Sequence, residues 1–293
     1  MSDRLLCEAR VLRQLAETTA SPGIRAYIPR IRDYVAETGQ LVLEAILPSL
    51  TLHEVVSHGY DQTTCAQSAR QIGAALAELH STHTEGLDLE SPRPWLLTLL
   101  EQEDSTPRQG LESVLERIKR CAPLRTFTDE LGHRWPGDVM IHGDVRFSNV
   151  LSVSDPPYLR LLDWELAGLG DPLYDLGCLL AAVLAEAAAR GTNLQSAINY
   201  FSLSYAEYRG RACQLSGAAP ILVGYAALRL AQLSIEHSKN SFSNNDHCGR
   251  ILTTAERLSE TSSGSLGTAV LDAVSSIERD ENVGDRRNRT EGL

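Results

Sequence analysis

Apolar positions recur along this chain with two different periods, and the change of period divides it. From Leu5 to Leu15 the apolar residues Leu5, Val11, Leu12 and Leu15 fall at helical spacing, with Glu8 set among Arg4, Arg10 and Arg13. Ser21, Pro22, Gly23 and Pro29 then mark a loop, and Ile31 to Val35 and Gln40 to Ala45 read as a hairpin across Glu37, Thr38 and Gly39. Beyond it the helical period dominates. Thr51 to Val56 begins a helix, and Ala66 to His80 is a longer one with Ile72, Ala75, Leu76 and Leu79 on one face; Trp95 to Glu101 and Leu111 to Cys121 follow. Helices are again predicted over Cys178 to Ala189, stopped by Arg190 and Gly191, and over Leu194 to Arg209, Pro220 to His237 and Ile251 to Leu258. Thr261 to Gly267 is Ser/Gly-rich and linker-like, Thr268 to Ile277 is a further amphipathic turn and helix, and Arg279 to Leu293 has the charged, polar composition of a disordered tail.

Between the two helical regions the period shortens. Val139, Met140 and Ile141 make a brief apolar run into His142, Gly143 and Asp144, so a buried strand delivers a carboxylate onto a loop where glycine permits a tight backbone. Asn149, a neutral oxygen ligand, comes five residues later and leads into Val150 and Leu151. After a turn at Ser154, Asp155, Pro156 and Pro157, a strand from Tyr158 to Leu162 ends on Asp163. Mg²⁺ is usually held by one or two protein oxygens together with substrate phosphates, so Asn149 and Asp163 on adjacent strand ends suit a nucleotide-bound metal. Asp144 is then left as a base that can meet a hydroxyl.

These residues resemble the aminoglycoside phosphotransferase and choline kinase-like family, distant relatives of protein kinases, whose HGDxxxxN loop and later Asp are matched by His142, Gly143, Asp144, Asn149 and Asp163. The resemblance implies an α+β, protein kinase-like two-lobe fold. It also implies Mg²⁺-dependent transfer of a phosphoryl group from ATP or GTP, with Asp144 as catalytic base and Asn149 and Asp163 as metal ligands. Arg146 stands where protein kinases carry a Lys and could offset charge on the moving phosphoryl group. The block Gly170 to Gly177 resembles the family segment in which Asp175 opens a buried helix and bonds to catalytic-loop backbone.

The same resemblance casts Glu8 as the helix Glu that pairs with a phosphate-gripping Lys, and Glu44, Ala45, Ile46 and Leu47 as the segment whose backbone meets the purine. The chain departs from the family there: its only lysines are Lys119 and Lys239, and seven residues precede Glu8. An upstream start, a substituting cation such as Arg4, a partner protein completing the small lobe, or impaired nucleotide binding would each account for that. The organisation implied is a truncated small N-lobe sheet (1–46, helix plus hairpin), a large, mainly helical C-lobe (47–262) and a tail (263–293). Trp95, Glu101, Glu103 and Asp104 are possible acceptor contacts. The acceptor would be a small amino-alcohol or aminoglycoside-like molecule, or a Ser or Thr of a peptide in natural-product biosynthesis. A pseudokinase or scaffold lacking the lysine is the alternative from a different class.

Composition narrows this picture. At 293 residues, with 43% hydrophobic and 22% charged, the chain has ample material for a core. A formal net charge of −11 argues against a nucleic-acid partner and accommodates a cationic acceptor. The absence of a signal-like N-terminus or an unbroken membrane-length apolar run predicts a cytoplasmic protein without a membrane partner. Six scattered cysteines without a CxxC pair predict reduced thiols. His80 is expected to be packed rather than catalytic, and His53 to lie on a solvated face.

Overall fold

The computed structural model describes residues 3–17, 23–35, 38–47, 49–57, 62–101, 112–135, 137–154, 159–191, 193–212, 218–239, 245–260 and 267–273. The expectations for Ser21, Pro22, Glu37, Glu103, Asp104, Asp155 to Tyr158, the linker 261–266 and the tail beyond 273 fall outside these residues, as does the side chain of Glu101.

The chain opens with helix α1 (Asp3–Glu17), which buries Ala9, Val11, Leu12 and Leu15 as its period requires. Strands β1 (Ile31–Val35) and β2 (Gln40–Leu43) form the expected antiparallel hairpin, and α1 packs against β1. The chain then runs through Glu44 to Leu47 into β3 (Ser49–Thr51) and helix α2 (Leu52–Ser57). The predicted helix start at Thr51 is in fact a boundary. Thr51 N–H and Oγ1 both donate to Glu54 Oε2 at 2.7 Å while Glu54 N–H returns to Thr51 Oγ1 at 3.2 Å, a reciprocal capping arrangement that lets one residue end a strand and start a helix.

Helix α3 (Gln62–His80) starts four residues before its predicted first residue, Ala66. Helices α4 (Trp95–Glu101) and α5 (Glu112–Arg120) lie where their periods place them, but α6 (Ala122–Arg134) was not anticipated. Its Pro123 reads as a breaker in sequence, yet in the first turn of a helix a proline forfeits no hydrogen bond. Strands β4 (Val139–Ile141), β5 (Val150–Val153), β6 (Leu159–Leu161) and β7 (Gly168–Gly170) follow. β3, β5 and β6 form one antiparallel sheet in that order, and β4 pairs with β7 in another. β7 had no sequence signal, being two glycines around one leucine.

The buried core draws residues from Val11 to Val270 and centres on one helix. Helix α7 (Pro172–Arg190) is buried without interruption from Leu173 to Leu184 and packs against α8 (Leu194–Arg209), α9 (Ala219–Lys239) and α10 (Asn245–Ser259). At ~1.5–3 kcal/mol for each large apolar side chain removed from water, this helix is the hydrophobic centre of the molecule. Among the described residues it is also the single helix long and apolar enough to cross a membrane, but 72% of its most apolar window is buried inside the protein. Its N-cap is Asp171, whose side chain accepts from Leu173 N–H, so Asp175 sits inside the first turn rather than opening the helix. It ends at Gly191 in the left-handed conformation. Gly177 is where α7 and α9 touch: a Cβ there would lie 2.6 Å from Tyr225 Cβ and 3.0 Å from the Ala226 nitrogen. A short helical stretch at 267–273 buries Val270. Cys7, Cys65, Cys121, Cys178 and Cys248 are all free thiols.

Candidate active site

Three segments converge at the N-terminal end of α7. The first is the loop after β4. His142 and Gly143 donate their backbone N–H groups to the Asp175 carboxylate, at 2.7 and 2.8 Å. Asp175 is fully buried, and its other partner is His80 Nε2 at 3.1 Å. Burial alone would raise its pKa, but the bond from His80, the charge of His80 and His142 and the backbone donors outweigh that, and the carboxyl titrates below its ordinary value. The expected anchoring of catalytic-loop backbone by Asp175 is therefore present. His80 is packed, as anticipated, yet it is tied to this anchor and to the Tyr208 hydroxyl at 2.9 Å.

Gly143 lies at φ +80°, and a Cβ there would come within 2.3 Å of the Leu166 carbonyl, so the loop passes where only glycine fits. Its neighbour His142 joins the first segment to the third: its Nε2 is 3.0 Å from the Leu162 carbonyl, and its Nδ1 accepts from Asp144 N–H at 3.3 Å.

The second segment is a 3₁₀ turn, Phe147–Asn149, leading into β5, against which α2 packs. Asn149 Nδ2 donates to both the carbonyl and Oδ2 of Asp144 at 3.0 Å. That turns Oδ1 outward, where it accepts from Arg146 Nε at 3.4 Å and Ser148 Oγ at 3.3 Å.

The third segment follows β6, which pairs with β5 and so brings the end of one strand beside the start of the other. Asp163 is the one non-glycine among the described residues at positive φ (65°), a conformation costing of the order of 1 kcal/mol. Burial raises its pKa, and the nearby carboxylates of Glu165 and Asp144 raise it further.

The Arg146 guanidinium lies between all three: 3.1 Å from Asp144 Oδ2, 3.4 Å from Asn149 Oδ1 and 3.9 Å from Asp163 Oδ2. The sequence-predicted oxygens therefore close on a single cation. The Asn149 amide oxygen and the Asp163 carboxylate are donors of the kind that suits Mg²⁺, and an arginine lies against both and against Asp144. Among the described residues no group of three His, Cys, Asp or Glu side chains has the arrangement of a protein-only metal site. A metal here would take its remaining ligands from phosphate and water.

Glu8 comes to this site from α1. Its carboxylate accepts from Trp164 N–H at 3.3 Å, next to Asp163, and burial raises its pKa. Lys119 lies in α5 and Lys239 at the end of α9, and among the described residues no ion pair joins Glu8 to a lysine of the kind the resemblance assigned to it. Arg4, the suggested substitute, pairs instead with Glu165 at 2.9 Å. The segment 44–47 links β2 to β3: Glu44 N–H is held by the Arg30 carbonyl, the Ile46 carbonyl accepts from Ser49 Oγ, and Leu47 is 83% exposed. Trp95 packs on the core rather than standing free.

Sequence reasoning missed two residues of α9. Arg229, with a side chain only 3% exposed, donates from Nη2 to Asp144 Oδ1 at 2.5 Å and from Nη1 to Glu236 Oε1 at 2.8 Å. The signal was available: a lone arginine in the apolar run from Val223 to Ile235, with a glutamate seven residues later on the same face. His53, expected on a solvated face, is half exposed and lies 2.5 Å from Glu186.

The profile of the phosphotransferase enzyme family (APH) matches residues 2–211. No curated protein shows significant sequence similarity to the chain. Among solved structures, the microcompartment-associated aminopropanol kinase is similar at a TM-score of 0.58 and 18% identity, over 89% of this chain and 82% of that one. Choline kinase LicA from Streptococcus pneumoniae gives 0.55 and 18%, over 86% and 78%, and LicA is also known in complex with AMP. A thermostable mutant of aminoglycoside phosphotransferase APH(4)-Ia gives 0.55 and 13%, over 86% and 83%. At these identities the likeness speaks for a shared protein kinase-like fold.

Proposed function

Because the chain belongs to the phosphotransferase enzyme family, we propose that it moves the γ-phosphoryl group of ATP or GTP to a hydroxyl of a small amino-alcohol or aminoglycoside-like acceptor. The observation that carries this reading is the convergence of Asp144, Asn149 and Asp163 on the one guanidinium of Arg146. Asp144 orients the acceptor hydroxyl and takes its proton as the oxygen attacks the γ-phosphorus. The bridging bond to the β-phosphate breaks, and its electron pair leaves with the nucleoside diphosphate. Asn149 Oδ1 and Asp163 would hold Mg²⁺, whose chemistry when bound is to neutralise phosphate charge and align the leaving group. Arg146, already within reach of the base, offsets charge on the transferred group.

The acceptor class is supported by charge. Glu236 Oε2 faces Arg146 at 3.8 Å with the side chain 30% exposed, and the net charge is −11, so an ammonium-bearing acceptor meets a favourable field. The likeness to an aminopropanol kinase and a choline kinase agrees with this class.

The test is transfer of labelled γ-phosphate to a panel of amino-alcohols and aminoglycosides, with Asp144→Asn beside the unaltered chain. Saturable transfer that the substitution abolishes supports the reading; equal turnover by both proteins refutes it. A second reading, a scaffold that binds nucleotide poorly, is favoured by one observation: Glu8 bonds to a backbone amide and, among the described residues, pairs with no lysine. Thermal stability unmoved by millimolar nucleotide with Mg²⁺ would favour that alternative, because a ligand that binds the folded state must stabilise it.

A further inference from the structure

Asp144 is held from outside its own loop. Protein kinase-like sites are usually described by the loop that carries the base, but here the shortest contact to that base comes from a helix 85 residues downstream. A guanidinium as buried as that of Arg229 is costly unless its charge is matched, and this one is matched twice, by Asp144 and by Glu236. Burial would lower its pKa, yet the two carboxylates raise it above the ordinary arginine value, so Arg229 stays charged.

Glu236 is itself fixed. Its Oε1 accepts from Gln232 Nε2 at 2.9 Å, while its Oε2 faces Arg146 Nη1 at 3.8 Å. Arg146 returns to Asp144 Oδ2 at 3.1 Å. The four side chains form a closed ring of alternating charge, Asp144, Arg229, Glu236, Arg146, standing over the loop.

The ring is not symmetrical about the base. Oδ1 of Asp144 has the 2.5 Å bond to Arg229; Oδ2 has only the longer contacts to Asn149 (3.0 Å) and Arg146 (3.1 Å). Charge-assisted bonds strengthen as they shorten, so the first oxygen is pinned and the second is the one that can yield a contact to an incoming hydroxyl. We propose that Arg229 is a positioning residue for phosphoryl transfer: it takes Oδ1 of Asp144, fixes the rotation of the carboxylate and reserves Oδ2 for the acceptor proton, while Glu236 holds Arg229 in place. This rests on the reading of Asp144 as base.

The experiment compares Arg229→Met, Arg229→Ala, Arg229→Lys and Glu236→Gln with the unaltered protein. It measures kcat, the KM of acceptor and of nucleotide, the thermal shift given by Mg²⁺ with nucleotide, and rescue of Arg229→Ala by added guanidinium. Arg229→Met should lower kcat about 30- to 100-fold, the scale of a misplaced catalytic group, with the nucleotide KM and thermal shift within about twofold of the original. Arg229→Lys keeps the charge and the fold but cannot span both carboxylates, and should lose about tenfold. Glu236→Gln should lose less, and guanidinium should restore part of the kcat of Arg229→Ala.

A role in folding alone would move melting temperature, nucleotide binding and kcat together and leave guanidinium without effect, which overturns the proposal. So does Arg229→Lys or Arg229→Met turning over at the original kcat while Asp144→Asn is inactive. Turnover by Asp144→Asn, or no phosphoryl transfer by the unaltered chain to any acceptor in the panel, overturns the functional reading and this inference together.

Discussion

The residues up to Leu47 and those after it bring opposite materials to one site. The first part is thin: α1 buries one face, the β1–β2 hairpin has two strands, and Val42 and Leu47 remain 46% and 83% exposed. The second part is built around α7, whose residues from Leu173 to Leu184 are all buried, and it supplies Asp144, Asn149, Asp163, Asp175 and Arg229. Among the described residues of the first part, Glu8 is the one whose side chain bonds next to Asp163. The difference teaches where precision is needed. The carboxylate proposed to accept a proton needs fixing to a fraction of an ångström and sits on the rigid half, whereas the segment proposed to meet a nucleotide lies on the half with little to hold it.

That contrast can be broken most directly at its centre. Asp144→Ala should lower turnover about 10³-fold and also lower the melting temperature, because it removes one of the two charges that match buried Arg229; steady-state kinetics beside a thermal melt read both. A fall in stability with turnover retained would mean that the residue serves the fold alone.

Next is Asp175, buried and bonded to three donors. Asp175→Ala should cost about 3 kcal/mol or more in urea unfolding, because it leaves His80 and two loop amides unmatched. The sign of its pH dependence follows from its depressed pKa: the stability it contributes is present above the ordinary carboxylate value and is lost as pH falls through the folded one. Unfolding measured from pH 6 down to about pH 3 should show Asp175→Asn with a flatter acid limb than the original protein.

Asp163 should behave in the opposite sense. Its pKa is raised and its backbone is left-handed, so Asp163→Asn removes like-charge repulsion, keeps a residue that tolerates that conformation, and should raise the melting temperature by about 1–2 °C while abolishing phosphoryl transfer. Smallest of all is Leu47→Ser on the thin half, which should leave unfolding within about 0.5 kcal/mol of the original. A larger effect there would mean that the segment is braced by more than its own backbone.

Much of the rigid half was legible in the sequence because its chemistry is local. The spacing from His142 to Asn149, the strand pair around it and the later Asp163 are set by short loops, and antiparallel pairing of β5 with β6 carries that spacing directly into space. Helices with a clear apolar face were found to within a few residues. What could not be read depends on distant partners. β7 is two glycines and a leucine that become a strand because β4 lies beside them. Helix α6 hid behind a proline whose cost depends on where in the helix it falls. Arg229 looked like an interruption in an apolar helix until Asp144 and Glu236 stood next to it. The part assigned to Glu8 rested on pairing with a lysine, whereas its partner among the described residues is an amide 156 residues away.

Gly177 gives the arrangement a calibration. Its missing methyl lets α9 lie almost on the backbone of α7, with Tyr225 at the contact, and Tyr225 is one helical turn ahead of Arg229. The bare α-carbon therefore acts as a shim of zero thickness, and any substituent there would lift the far helix and draw the guanidinium away from the carboxylate it grips. The reach of an arginine at one address is gauged by hydrogen at another.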